Sequence, residues 1–279
     1  MVKIGVHVSI AGTIDLSVDR ALERGCDVFQ IFSRNPRGWG FKPLNDTDIG
    51  NFQAKIKSTK ILPVDHMPYL PNLATPKDDM YEKSIATLQA ELGRCADLGI
   101  PYLVTHLGHH LGDGMAGGRA RVIKAINAAI EGSDKRVMLL LENTAGEKNS
   151  AGSSFEHIAA ILNGLKEPGR IGICFDTCHA FAAGYELRTD EGIQETLASF
   201  DELIGLDHLK IVHLNDAKGD RGSALDRHEH IGMGFIGEDG FRRILHHPVF
   251  ATLPLVCETP DDDRRDDKGN LAKVRELAA

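Results

Sequence analysis

Six residues in this chain combine metal-binding chemistry with a repeated position. His66, His106, Glu142, Asp176, His213 and Glu258 each fall at or near the end of a short apolar run. His7 holds the same place in the first such run. Imidazoles and carboxylates without thiolates suit zinc or manganese, and zinc is the usual occupant of such a set. A lone His at a strand end is more often a hydrogen-bonded framework group, and a lone Asp there more often caps the next helix. Six together are a different matter. A buried carboxylate needs a cation or a hydrogen-bonding partner, and three carboxylates with three imidazoles in one pocket read as a metal cluster.

The elements that must position these residues are visible as an alternation. Short runs at 3–9, 27–33, 61–66, 102–106, 137–143, 170–176, 209–215 and 253–259 are rich in apolar side chains. Between them lie amphipathic stretches at 13–25, 78–98, 119–131, 153–164, 190–204 and 237–246. Gly25 and Gly99 sit where a helix would end. Eight strands that alternate with helices imply a parallel sheet, and eight such units close into an α/β (β/α)8 barrel. A doubly wound open sheet is the other arrangement this pattern admits. In a barrel all strand C-termini share one rim, so the six candidate ligands converge.

Two short motifs extend the cluster. D-T-C-H places His179 three residues after Asp176, and D-R-H places Asp226 and His228 two apart. In an extended segment residues i and i+2 point the same way, so Asp226 and His228 could grip one ion with Arg227 turned outward. Cys178, Cys174 and Cys257 read as packed core thiols.

Composition sets outer bounds. The length of 279 residues suits a single domain spanning 1–279. The five cysteines form no C-x-x-C pair, which points to a reducing, cytoplasmic setting. The opening MVKIGVHVSIAG lacks the pattern of a signal peptide, and no stretch approaches a membrane span. The formal net charge of −8 speaks against binding nucleic acid through bulk charge. Bound divalent cations would offset much of it and concentrate positive charge in one pocket.

The stretches VHVSIAG (6–12), HMPYLPNLA (66–74), LENTAG (141–146), FDTCHAFAAGY (175–185), HLNDAK (213–218), DRHEHIGMG (226–234) and CET (257–259) resemble endonuclease IV. This is the family of zinc-dependent abasic-site endonucleases built on a xylose-isomerase-like TIM barrel. The resemblance runs from about residue 4 to 259, in the family's order. It implies three zinc ions, with manganese as an alternative occupant of one site. One would lie on His66, His106 and Glu142, one on Glu142, Asp176, His213 and Glu258, and one on His179, Asp226 and His228. Glu142 and Glu258 would be the catalytic carboxylates, the first bridging two ions and the second also orienting the attacking water.

The implied partner is duplex DNA carrying abasic sites or blocked 3′ ends, contacted through Ser9, Asn35, Arg37, Tyr69, Leu70 and Arg227. The implied reaction is hydrolysis 5′ to the abasic sugar. A monomer suits wrapping around bent DNA. The DNA-facing loop departs from the family pattern: N-P-R-G-W keeps Asn35, Arg37 and Trp39 but has Pro36 and Gly38 where glutamines are usual. A metal-dependent sugar isomerase or epimerase on the same barrel is the rival reading.

Overall fold

The computed structural model describes residues 2–279. The first six strands and their connecting helices follow in alternation. They are β1 (Lys3–Val6), α1 (Leu16–Glu23), β2 (Val28–Ile31), α2 (Asp46–Thr59), β3 (Leu62–His66), α3 (Asp78–Leu98), β4 (Tyr102–Thr105), α4 (Met115–Ile130), β5 (Met138–Glu142), α5 (Phe155–Leu162) and β6 (Ile171–Asp176). Two helices, α6 (Thr177–Ala183) and α7 (Asp190–Leu203), lead to β7 (Leu209–His213). A two-stranded excursion, β8 (Asp216–Ala217) with β9 (His228–Glu229), precedes α8 (Gly237–His246), β10 (Pro254–Cys257) and α9 (Asp267–Leu277).

The eight main strands are parallel neighbours in the order β1-β10-β7-β6-β5-β4-β3-β2. The ring closes between its two ends: His7 bridges Gln30 in parallel, and Val8 N–H donates to the Gln30 carbonyl at 2.8 Å. Closure brings β1 and β2 so near that a Cβ on Gly5 would lie 1.5 Å from the Val28 carbonyl oxygen. Only glycine fits there. The fold is thus a (β/α)8 TIM barrel, and the open-sheet arrangement is excluded.

Strand alternation separates two apolar regions. Val28, Val64, Val104, Leu140, Cys174, Ile211 and Val256 pack on one another inside the barrel, one from each strand except β1, which has Gly5 there. The opposite faces, with Phe29, Leu103, Phe175 and Leu255 among them, pack under the helices.

The helices begin and end for local reasons. Thr189 caps α7 by accepting from Gly192 N at 3.0 Å, with Asp190 and Glu191 in its first turn. Gly99 closes α3 in the left-handed region at φ 74°, as the sequence indicates. The α2, α6 and α9 helices are not apparent from the periodicity. Asn45 caps α2, Asp266 caps α9, and α6 is capped by Asp176, itself a candidate ligand. The first helix is shorter than the expected 13–25, because Thr13–Asp15 form a turn before it.

Candidate metal centre

Two residues beyond each lumen-lining side chain, the next inward position faces the open end of the barrel. Counting from Gly5, Val28, Val64, Val104, Leu140, Cys174, Ile211 and Val256 gives His7, Gln30, His66, His106, Glu142, Asp176, His213 and Glu258. One polar layer therefore crowns the apolar one, and each strand supplies one member. His66, Glu142, Asp176 and His213 are buried, whereas His106 and Glu258 open to a cavity of about 380 Å³.

In and beside this layer three groups have their donor atoms within 4.8 Å of one another, the third drawn from α6 and the β8–β9 excursion. His66 and His106 each place Nε2 beside Glu142 Oε2, at 3.2 and 3.0 Å. Glu142 Oε1 lies 3.0 Å from His213 Nδ1, which also approaches Glu258 Oε2 at 3.3 Å and Asp176 Oδ2 at 3.8 Å. His179 Nε2 stands 3.2 Å from Asp226 Oδ1, and His228 Nε2 3.7 Å from the same oxygen. Asp226 and His228 thus face the same way while Arg227 is exposed, with its guanidinium on the Asp226 carbonyl.

Ring orientation follows from what each imidazole's other nitrogen touches. His66 Nδ1 meets the Met67 carbonyl at 2.7 Å, His179 Nδ1 the Asn143 carbonyl at 3.0 Å, and His228 Nδ1 the Glu258 carbonyl at 3.1 Å. A carbonyl only accepts, so each Nδ1 carries a proton and each Nε2 is turned into the cluster. The carboxylates are held as firmly. Asp176 Oδ1 accepts from His179 N and Oδ2 from Asn215 Nδ2, so it caps α6 and still belongs to the cluster. Asn143 and Asn215 tie Asp176 and Glu258 to adjacent strands.

Charge balance is strained toward cations. Burial works against ionising Glu142, yet the imidazoles of His106 and His213 hold its carboxyl well below the ordinary range. Burial likewise opposes protonation of His179, but Asp176, Asp226 and Glu142 raise it well above the usual imidazole value. Asp226 is pulled down to about 2, chiefly by its contact with His179. The buried Nε2 atoms of His179 and His228 have no hydrogen-bond partner despite their nearby carboxylates. Unpartnered buried nitrogens aimed at carboxylates are what divalent-metal ligands look like. The residues present therefore fit zinc-type coordination at all three groups.

Cys178 comes within ligand spacing of Asp176 and His228. Its Sγ donates to the Arg227 carbonyl, and burial pushes its thiol far up, which agrees with a packed core thiol. Cys174 and Cys257 are buried as well.

The expected DNA-facing residues lie on the rim. Tyr69 lines the cavity, is 62% exposed, and sets its ring edge-on to Phe32 with centroids 4.9 Å apart. Ser9, Asn35, Arg37, Leu70 and Arg227 are exposed outside the cavity lining. Tyr69 N donates to the Pro36 carbonyl at 3.3 Å, which joins the 66–74 segment to the loop carrying Asn35 and Arg37. Gln30 escaped the sequence reading, although it holds the same place two residues after Val28 as each ligand holds on its own strand.

An eight-stranded parallel barrel with a carboxylate–imidazole cluster at its C-terminal rim defines a class of metal-dependent TIM-barrel enzymes. Residues 18–278 match the family described as xylose isomerase-like TIM barrel. The chain is 62% identical to a probable endonuclease 4 of Methanoculleus marisnigri, over 100% of this chain and 99% of that one. It superposes on endonuclease IV of Thermus thermophilus with a TM-score of 0.87 at 34% identity, covering 99% and 98% of the two chains. A D-tagatose 3-epimerase-like protein shares the fold alone, at TM-score 0.73 and 18% identity over 99% of this chain and 95% of that one. The chain belongs to the endonuclease IV family of xylose isomerase-like TIM barrels and is a hydrolase of the nuclease class. The family is metal-dependent and acts on DNA. Among the described residues no helix is long and apolar enough to cross a membrane.

Proposed function

We propose that this protein hydrolyses the phosphodiester bond 5′ to abasic sites in duplex DNA, leaving a 3′-hydroxyl and a 5′-deoxyribose phosphate. It also clears blocked 3′ ends by the same hydrolysis. The single domain 1–279 acts as a monomer with three zinc ions, one of the sites also accepting manganese. His66, His106 and Glu142 hold the first, Glu142, Asp176, His213 and Glu258 the second, and His179, Asp226 and His228 the third. The observation that carries this reading is the convergence of all nine side chains in three groups of ligand spacing, with the Nε2 atoms of His179 and His228 left unpartnered.

Zinc bound at these groups supplies an acidified water and offsets charge on the phosphoryl oxygens. The chain's own residues do the rest. Glu142, shared by two groups, fixes their spacing. Glu258 lines the cavity and so can orient the attacking water. Tyr69, Leu70 and Arg37 occupy the gap left by the missing base, while Ser9, Asn35 and Arg227 contact the backbone. An abasic site lacks stacking on one face, so bending and extruding it costs less than for an intact nucleotide. The third group, His179 with Asp226 and His228, is what a two-site sugar isomerase would not need.

Incision of a labelled duplex with one abasic site tests the proposal. Cleavage 5′ to the site is expected, lost after prolonged chelation and in Glu142→Ala. A fully metal-loaded protein that leaves the duplex intact would overturn it in favour of the isomerase.

A further inference from the structure

Of the oriented imidazoles in the cluster, His213 differs in what orients it. His66, His179 and His228 lean on backbone carbonyls, which no side-chain change removes. His213 leans on a side chain: its Nε2 lies 2.8 Å from Oε1 of Gln30. Gln30 is fully buried on β2, in the same layer as the ligands. Its amide nitrogen donates to Glu258 Oε1 at 2.6 Å and lies 3.2 Å from His7 Nδ1.

These partners determine which way the amide points. A carboxylate only accepts, so the NH2 must face Glu258, and the carbonyl oxygen must face His213. His213 Nε2 therefore carries a proton, which leaves Nδ1, 3.0 Å from Glu142 Oε1, as the nitrogen that faces Glu142, Asp176 and Glu258 and would take a metal. The same amide occupies Glu258 Oε1 and leaves Oε2 turned to the cluster, 3.3 Å from His213 Nδ1. His7 completes the arrangement: desolvation lowers its pKa to about 4, so its ring is neutral and Nδ1 can accept the second amide hydrogen. The Gln30 amide is thereby locked by three partners on three strands.

We infer that Gln30 is a positioning residue for the metal centre, one amide that sets both the His213 tautomer and the rotation of the Glu258 carboxylate at the Glu142–Asp176–His213–Glu258 group. This rests on the metal-centre reading above. Removing the amide frees the His213 ring to exchange tautomers and lets Glu258 turn, without removing any ligand. Loss of such an outer partner typically weakens metal affinity about 10–100-fold.

The test uses the whole chain, stripped by chelation and reloaded with cobalt(II), whose visible absorption reports ligand geometry. Binding is titrated against a competing chelator for the wild type, Gln30→Met and Gln30→Glu. The expected result is that Gln30→Met binds one metal equivalent roughly 10–100-fold more weakly, with an altered cobalt spectrum, while the remaining equivalents bind as in the wild type. Gln30→Glu can still accept from His213 but repels Glu258, so it keeps the His213 tautomer and also loses affinity. A folded Gln30→Met with unchanged affinity and spectrum overturns the inference. A wild type that binds no metal overturns the metal-centre reading and this inference with it. Nitrogen-15 NMR of the His213 ring in the metal-loaded wild type gives a check that needs no variant: a protonated Nδ1 there also overturns the inference.

Discussion

An imidazole can serve a metal only if one nitrogen is free and aimed, and the chain arranges this with ordinary parts. A backbone carbonyl on Nδ1 is enough for His66, His179 and His228. The rim residues follow a different logic, because they must stay available to a partner. Tyr69 keeps 62% of its surface exposed, and its ring rests on Phe32 rather than on any ligand. Its role can therefore be separated from the metal centre. Tyr69→Ala should weaken binding of a fluorescent abasic duplex by about 10-fold, the scale of one lost aromatic stacking contact. Zinc content measured by mass spectrometry should stay at the wild-type level. Equal affinity of the two proteins for the abasic duplex would remove Tyr69 from the recognition surface.

At the scale of elements, the loop after β2 is tied down from beneath. Glu91 and Arg94 reach up from α3 to its base. Glu91 makes a 2.7 Å ion contact with Arg34 Nε, not aligned as a hydrogen bond, and accepts from Ser33 Oγ at 2.6 Å. Arg94 donates to Ser33 Oγ and to the Lys42 carbonyl. Arg34 holds the Trp39 carbonyl, and both guanidinium groups lie over the Phe41 ring. Glu91 has no exposed surface. Glu91→Ala would leave the buried Arg34 guanidinium short of its counter-charge, a loss of about 3–5 kcal/mol. Urea denaturation should show it as a lower midpoint, and Glu91→Gln, which preserves the shape, should lose less. Equal midpoints for Glu91→Ala and the wild type would mean the network carries no stability.

Six of the eight strands are legible because each places a polar ligand two residues after an apolar lumen residue, as in Val64-Asp-His66, Leu140-Leu-Glu142 and Val256-Cys-Glu258. The helices that periodicity misses lack that clarity. The α2 helix has its large apolar residues only at Ile49, Phe52 and Ile56 and ends on Lys60 in the left-handed region rather than on glycine. The α6 helix starts on Asp176, so a strand-end ligand conceals a helix cap. Gln30 is hard to read because an amide is not a metal ligand, and its importance lies in partners contributed by β1, β7 and β10 that no local pattern announces.

The whole molecule carries a formal charge of −8, and its rim gathers carboxylates and imidazoles where metal and protons compete for the same atoms. Without metal, burial opposes protonation of His106, His179 and His213, yet their neighbours raise all three above 6.5: carboxylates for His106 and His179, and Cys174 with Glu258 and Glu142 for His213. A group raised in the folded state stabilises the protein below its unfolded value, and that contribution is lost as pH rises through the folded value. Glu258 and Asp226, each lowered to about 2, act in the opposite sense: their contribution is present above the ordinary carboxylate range and disappears as pH falls toward 2. The metal-free cluster is thus most favourable between those limits and weakens as pH rises past the ordinary imidazole value of 6.5 toward the raised folded values, where the imidazoles lose their protons. Metal binding runs the other way, because it needs the imidazoles deprotonated, and it strengthens as pH rises. The melting temperatures of chelated and zinc-loaded protein should therefore lie close together near about pH 5.5 and separate by about pH 8.5, with the chelated form falling. Scanning fluorimetry at a series of pH values checks this directly. A gap that stays constant across the series would mean that the imidazoles do not exchange protons for metal, and the cluster would have to be stabilised by hydrogen bonding alone.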